Sequence, residues 1–192
     1  LGDSLTAGYG LPSDQAYPAL VQQYIRDAGW PWVVVNSGIS GDTTAGGLRR
    51  LDWLLRQPID VLVIVLGAND GLRGFAPDLT ARNVTDTIRK AREREPDALI
   101  VLGNMRLPAN LGDAYVQSFE NVFARVAASE NVPLMPFLLE DVAAKPELNL
   151  PDGIHPNPEG HRIVAARVWE FLQPRLAQRL NTTQTNPPVA NK

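Results

Sequence analysis

Six consecutive apolar residues, Val61-Leu62-Val63-Ile64-Val65-Leu66, constrain this chain more than any other feature. The run is far shorter than the roughly 18 residues that a membrane span needs. Its side chains do not alternate between apolar and polar, so a strand built from it must be covered on both faces, as in a parallel sheet. Three more apolar runs, at residues 32–36, 98–103 and 132–137, share that character. Between the runs, apolar residues recur at helical spacing instead. Leu48, Leu51, Leu54 and Leu55 share one face, as do Val84, Ile88 and Ala91, and also Phe119, Val122, Phe123 and Val126. A first helix is predicted over residues 14–28, with Ala19, Leu20 and Tyr24 as core contacts. A last helix is predicted over residues 158–180, with Ile163, Val164, Val168, Phe171 and Leu172 facing inward. Strands alternating with helices imply right-handed βαβ units, hence an α/β fold with a three-layer sandwich around a parallel sheet.

A length of 192 residues suits one domain, set here at residues 1–180. Residues 181–192 are polar, include Asn186-Pro187-Pro188, and read as a disordered tail. The chain opens on what looks like a strand-to-helix turn, so a short apolar strand is expected ahead of Leu1 in the intact gene product. A net charge of −3 speaks against a nucleic-acid partner, whose phosphates call for a basic face. No apolar run is long enough for an integral membrane segment. Without cysteine there is no disulfide, thiolate metal site or cysteine nucleophile, and two histidines are too few for a multi-histidine metal centre. No apolar stripe demands a partner, and a monomer is expected.

Open parallel sheets bind ligands beyond the carboxyl ends of their strands. The segments falling there are Gly2-Asp3-Ser4-Leu5, Ser37-Gly38-Ile39-Ser40-Gly41-Asp42-Thr43 and Gly67-Ala68-Asn69-Asp70, joined by Asp152-Gly153-Ile154-His155-Pro156 before the last helix. Together they suit acyl transfer. A serine hydroxyl becomes a good nucleophile when a neutral imidazole takes its proton, and the imidazole needs a carboxylate on its other nitrogen. Ser4, His155 and Asp152 supply those types, the last two only three positions apart. A tetrahedral oxyanion then needs preorganised donors, for which the candidates are the backbone N–H of Ser4, the backbone N–H of Gly41 and the side-chain amide of Asn69.

Those segments resemble the four blocks of the SGNH (GDSL) hydrolases, the Ser, Gly, Asn and His of the name being Ser4, Gly41, Asn69 and His155. Ile39-Ser40-Gly41-Asp42-Thr43, Asn69-Asp70-Gly71-Leu72-Arg73-Gly74 and Met105-Arg106-Leu107-Pro108-Ala109-Asn110 are similar to the bacterial multifunctional thioesterase/lysophospholipase/arylesterase subgroup. The resemblance implies a flavodoxin-like fold with five parallel strands, no metal or organic cofactor, and export to the periplasm or beyond. It also implies Ser4 as nucleophile, His155 as base and Asp152 as its orienting acid. Substrates would be small acyl or aryl esters or thioesters.

Each block has an ordinary reading when taken alone. Ser4 could cap a helix, Gly38 and Gly41 could serve a tight turn, and Asn69-Asp70-Gly71 and Asp152-Gly153 are turn chemistry. Asp3, Asp42 and Asp70 read as capping carboxylates, and His161 as structural or exposed. Four blocks in one order, each at a strand exit, favour the hydrolase. The competing readings are a carbohydrate O-acetylesterase, a non-catalytic acyl-binding module, and a metal hydrolase built on Asp3, Asp70, Asp152 and His155. An apolar pocket is expected near Leu72, Phe75, Met105, Leu107, Pro108 and Ile154, with residues 73–77 as a flap.

Overall fold

The structure, a computed structural model, describes residues 1–185, with side chains described through residue 181. Three strands form the assigned sheet: β1 (Val61–Ile64), β2 (Leu99–Gly103) and β3 (Leu134–Met135), all parallel. Val61 lies opposite Leu99 and Ile64 opposite Leu102, while Leu102 and Gly103 face Leu134 and Met135. Two further lanes extend the sheet past β1. Gly2 forms parallel bridges to Val65 on one side and Gly38 on the other. The Val65 N–H donates to Leu1 O at 2.8 Å, and the Ile39 N–H to Gly2 O at 3.0 Å. The lateral order is therefore Gly38, Gly2, β1, β2, β3, the five-lane arrangement of a flavodoxin-like sheet.

The run at 32–36 differs from its expected strand. Its backbone is taken up by a helix side chain: Gln22 donates to Trp32 O at 3.1 Å and accepts the Val34 N–H at 2.6 Å. Val33 and Val35 are exposed, and the ladder with Gly2 begins only at Gly38. The expected strand at 132–137 contracts to Leu134–Met135.

The helices are α1 (Ser4–Ala7), α2 (Tyr17–Asp27), α3 (Thr44–Leu54), α4 (Ala68–Leu72), α5 (Pro77–Arg94), α6 (Asp113–Ser129) and α7 (Pro158–Thr185). The first helix was expected from residue 14, but Ser13–Gln15 forms a 3₁₀ turn, and α2 begins at Tyr17 with a proline in its first turn. Its buried face is Tyr17, Val21 and Ile25; the expected Ala19, Leu20 and Tyr24 are only half-buried. Helix α7 continues to Thr185, five residues into the segment expected as a tail, and residues 186–192 lie outside the described residues.

The connection leaving Gly2 runs to one side of it, and those leaving β1 and β2 run to the other. With right-handed crossovers the helices then fall on opposite faces of the sheet. Helix α2 packs on α7, and α5 packs on both α3 and α6. Val84, Ile88 and Ala91 of α5 and Phe119, Val122, Phe123 and Val126 of α6 are buried as their spacing predicts. The Phe119 and Phe123 rings meet at 5.6 Å, and truncating either to alanine costs about 3–5 kcal/mol. The reversal of direction between Gly2 and β1 opens a crevice at their carboxyl ends. The segments leaving those ends begin with Ser4 and contain Asn69.

Candidate active site

Ser4 begins α1 directly after the Gly2 lane. Asp3 caps that helix, its Oδ1 accepting the Leu5 N–H at 3.0 Å. Ser4 Oγ lies 2.9 Å from His155 Nε2, and His155 Nδ1 lies 2.8 Å from Asp152 Oδ2. The other carboxylate oxygen of Asp152 accepts the backbone N–H groups of Ile154 and His155 at 2.9 and 3.0 Å. These two N–H groups, with the imidazole beside them, hold the Asp152 carboxyl down at about 2. An ionised Asp152 can only accept, so a neutral His155 carries its proton on Nδ1 and turns the Nε2 lone pair toward Ser4. The Ser4 hydroxyl then donates to Nε2, the arrangement that activates a serine.

The loop after Gly38 holds the second set of expected residues. Gly41 has φ +79°, a left-handed conformation that a side chain would strain. Its carbonyl accepts from Arg73 Nη2 at 3.0 Å, and the neighbouring Asp42 carbonyl accepts from Asn69 Nδ2 at 2.9 Å. The loops carrying Gly41 and Asn69 are thus tied to each other directly. Arg50 on α3 ties them to the Gly2 lane that leads into Ser4, donating from Nε to Asp42 Oδ2 at 2.8 Å and from Nη2 to Gly2 O at 3.0 Å. An amide nitrogen has two N–H bonds, so the bond from Asn69 to Asp42 leaves one for an oxyanion.

The remaining carboxylates behave as local binders. Buried Asp70 accepts the Thr44 N–H at 2.9 Å and the hydroxyls of Thr44 and Thr80, joining α4 to the starts of α3 and α5. Asp3 is also buried, and burial pushes its carboxyl up to about 6 against the pull of the Leu5 N–H and His155. For the metal reading, no group of three or more His, Asp or Glu among the described residues could hold an ion, and Asp70 is taken up by Thr44 and Thr80.

Leu72, Phe75, Pro108 and Ile154 are exposed, as a pocket rim requires. Met105 and Leu107 are not: both are buried. Met105 packs beside Gly67 and Leu107 against Gly71, so both lie under the α4 segment and not on the exposed rim. A cleft of about 580 Å³, lined by Arg92, Leu99, Glu130, Val132 and Arg179 among others, opens at the amino ends of β2 and β3, the far end of the sheet from Ser4.

Two residues near the site, Tyr9 and Arg50, escaped the sequence reading. Tyr9 lies with its ring centroid 4.4 Å from that of His155, the planes inclined at 36°; its signal was an aromatic set between two glycines, Gly8 and Gly10. Arg50 carries no motif of its own. His161 is buried, its Nδ1 accepting the Tyr17 N–H at 3.1 Å, and burial holds it down at about 4.

Residues 1–163 match the GDSL-like lipase/acylhydrolase family. The chain is 41 % identical to the esterase TesA of Pseudomonas aeruginosa, over 92 % of its own length and 87 % of the relative's. It is 40 % identical to an arylesterase of Vibrio mimicus, over 94 % and 88 %. It is 39 % identical to thioesterase 1/protease 1/lysophospholipase L1 of Escherichia coli K12, over 91 % and 82 %. Among solved structures, the psychrotrophic esterase EstA from Pseudoalteromonas sp., inhibited by monoethylphosphonate, superimposes with a TM-score of 0.87 at 34 % identity, covering 92 % of this chain and 96 % of that one.

Proposed function

The chain belongs to the GDSL-like lipase/acylhydrolase family and is an ester-hydrolysing serine enzyme, and on that premise we propose that Ser4 is its nucleophile, His155 its general base and acid, and Asp152 the carboxylate that orients the imidazole. The observation behind this reading is the unbroken run of hydrogen bonds from Asp152 through His155 to Ser4, at 2.8 and 2.9 Å.

In the first half-reaction His155 Nε2 takes the Ser4 proton while Oγ attacks the acyl carbonyl carbon. The carbonyl π electrons move onto oxygen. The backbone N–H groups of Ser4 and Gly41 and the second N–H of Asn69 stabilise that oxyanion. The imidazolium then protonates the leaving alkoxide, phenoxide or thiolate as its bond to the acyl carbon breaks. Water repeats the sequence on the acyl-serine: His155 takes a proton from it, and Oγ leaves with the proton returned. Asp152 stays ionised throughout, stabilising the imidazolium.

Acyl and aryl esters are the substrates that the surroundings favour. Tyr9, Ile39, Leu72, Phe75 and Ile154 are exposed large apolar residues, and each belongs to a segment that carries or adjoins a site residue. Such a rim suits an acyl chain or an aryl leaving group better than an acetylated sugar. Thioesters pass through the same kind of intermediate and fall within the proposal. Among the described residues, no helix is long and apolar enough to cross a membrane. We extend the proposal to a monomeric enzyme, periplasmic or secreted, that works without metal or organic cofactor; sedimentation, cell fractionation and assay in chelator test those points.

The decisive experiment is hydrolysis of p-nitrophenyl esters from acetate to palmitate by the parent and by Ser4→Ala, with fluorophosphonate labelling in parallel. Activity and labelling that both vanish in the variant support the serine mechanism, and the chain-length optimum sizes the acyl site. Near-parental activity in Ser4→Ala overturns it.

A further inference from the structure

Tyr9 is placed by the nucleophile's own residue. The N–H groups of Gly8 and Tyr9 both donate to Ser4 O, each at 3.0 Å, closing α1. Gly8 has φ +77°, and a Cβ there would come within 2.5 Å of the Ala16 side chain. The turn after α1 is thus shaped for glycine, and it delivers the next side chain onto His155. The Tyr9 ring stands 4.4 Å from the imidazole, centroid to centroid, while half of the residue stays in solvent.

The charged and titratable groups facing His155 are Asp152 on its own loop, buried Asp3 at the start of α1, and His161 on α7. Asp152 and Ser4 occupy the two nitrogens in the ring plane. The faces of the ring remain, and Tyr9 lies against one of them. An aromatic face carries negative potential and attracts a cation held within about 6 Å of its centroid. Neutral imidazole gains little from this; imidazolium gains more.

We propose that Tyr9 is a positioning residue for His155, its ring fixing the imidazole and stabilising the imidazolium formed in each half-reaction. The inference rests on His155 being the base. It predicts an effect on kcat, because the charge exists only along the reaction path, with little effect on KM.

The test uses the whole chain and p-nitrophenyl acetate, comparing Tyr9→Phe, Tyr9→Leu and a series of progressively fluorinated phenylalanines at position 9. Phe is expected within about twofold of the parent, and Leu about tenfold lower in kcat with KM within about twofold. Fluorination drains the ring face while keeping its shape, so log kcat should fall stepwise along the series. That series remains informative even if Leu disturbs the turn. A Leu variant equal to the parent, a Phe variant as slow as Leu, a flat fluorination series, or a rise in KM alone would each overturn the proposal. His155→Ala separates the two levels: near-parental turnover there would remove the base itself, whatever Tyr9 does.

Discussion

Ser4 and His155 are 151 positions apart in the chain, yet their Oγ and Nε2 atoms are 2.9 Å apart. Closing a loop of that length costs about 4 kcal/mol beyond its constant term, and one hydrogen bond returns about 1 kcal/mol. The contact is therefore a product of the fold and not a support for it. Helix α7 packs on α2, and a buried chain from His161 through Tyr17 to Thr6 reaches the nucleophile's helix. Ser4→Ala should then leave stability within about 1 kcal/mol of the parent while lowering kcat by about 10⁴ or more. Urea unfolding and ester hydrolysis on one preparation check both halves.

Asn69→Ala should lower kcat by about 10²–10³, the usual cost of one oxyanion donor. Part of any loss could come from slackening the bond to Asp42 O, and Arg73→Met controls for that, because Arg73 ties the same loop through Gly41 O. The Arg73 variant should stay within about tenfold of the parent. Equal losses in the two would reassign Asn69 to loop support.

Arg50→Met removes the two side-chain bonds by which Arg50 links Gly2 to Asp42 and leaves a mostly buried carboxylate without its cation. A loss of about 2 kcal/mol in unfolding free energy is expected, measured by denaturant titration. Asp42→Asn in the Arg50→Met background should recover part of it, since the unpaired charge is then gone.

Two buried groups behind the site should give opposite pH slopes. His161 is held down at about 4 in the fold and titrates near 6.5 when unfolded, so the unfolded chain binds the extra proton between those values. Its contribution is lost as pH falls. Asp3 is pushed up to about 6 from near 4, so the folded chain binds the extra proton in almost the same window, and its contribution is lost as pH rises. Relative to the parent, Asp3→Asn should make stability fall more steeply from pH 6 to 4. His161→Asn should make it fall less steeply or rise. Groups common to all three proteins drop out of the difference. Urea midpoints at four pH values suffice, and slopes of the reverse sign would refute the assignment.

The site was far more legible in the sequence than its lining was. Ser4, Asn69, Asp152 and His155 stand in short segments whose spacing survives folding because each is one turn or loop. Met105 and Leu107 follow β2, where the strand ends and the chain passes under α4; no periodicity shows which way a residue points there. The buried face of α2 lies one strip over from the expected one, on Tyr17, Val21 and Ile25, because helical spacing alone does not say which of two neighbouring apolar strips meets α7. The apolar run at 32–36 reads as a strand by composition, but Gln22, one helix away, takes its backbone bonds. Tyr9 needed the tertiary fold, since its partner arrives from the other end of the chain.

Asp152 satisfies both of its oxygens within four residues, taking the N–H groups of Ile154 and His155 and the imidazole itself. The pair proposed for acid–base work is thus a local cassette whose tautomer is written within its own loop. Grafted ahead of another helix with the same five residues, it should arrive with that tautomer set, leaving its new host to supply a hydroxyl within reach of Nε2 and a ring to lie against the imidazole.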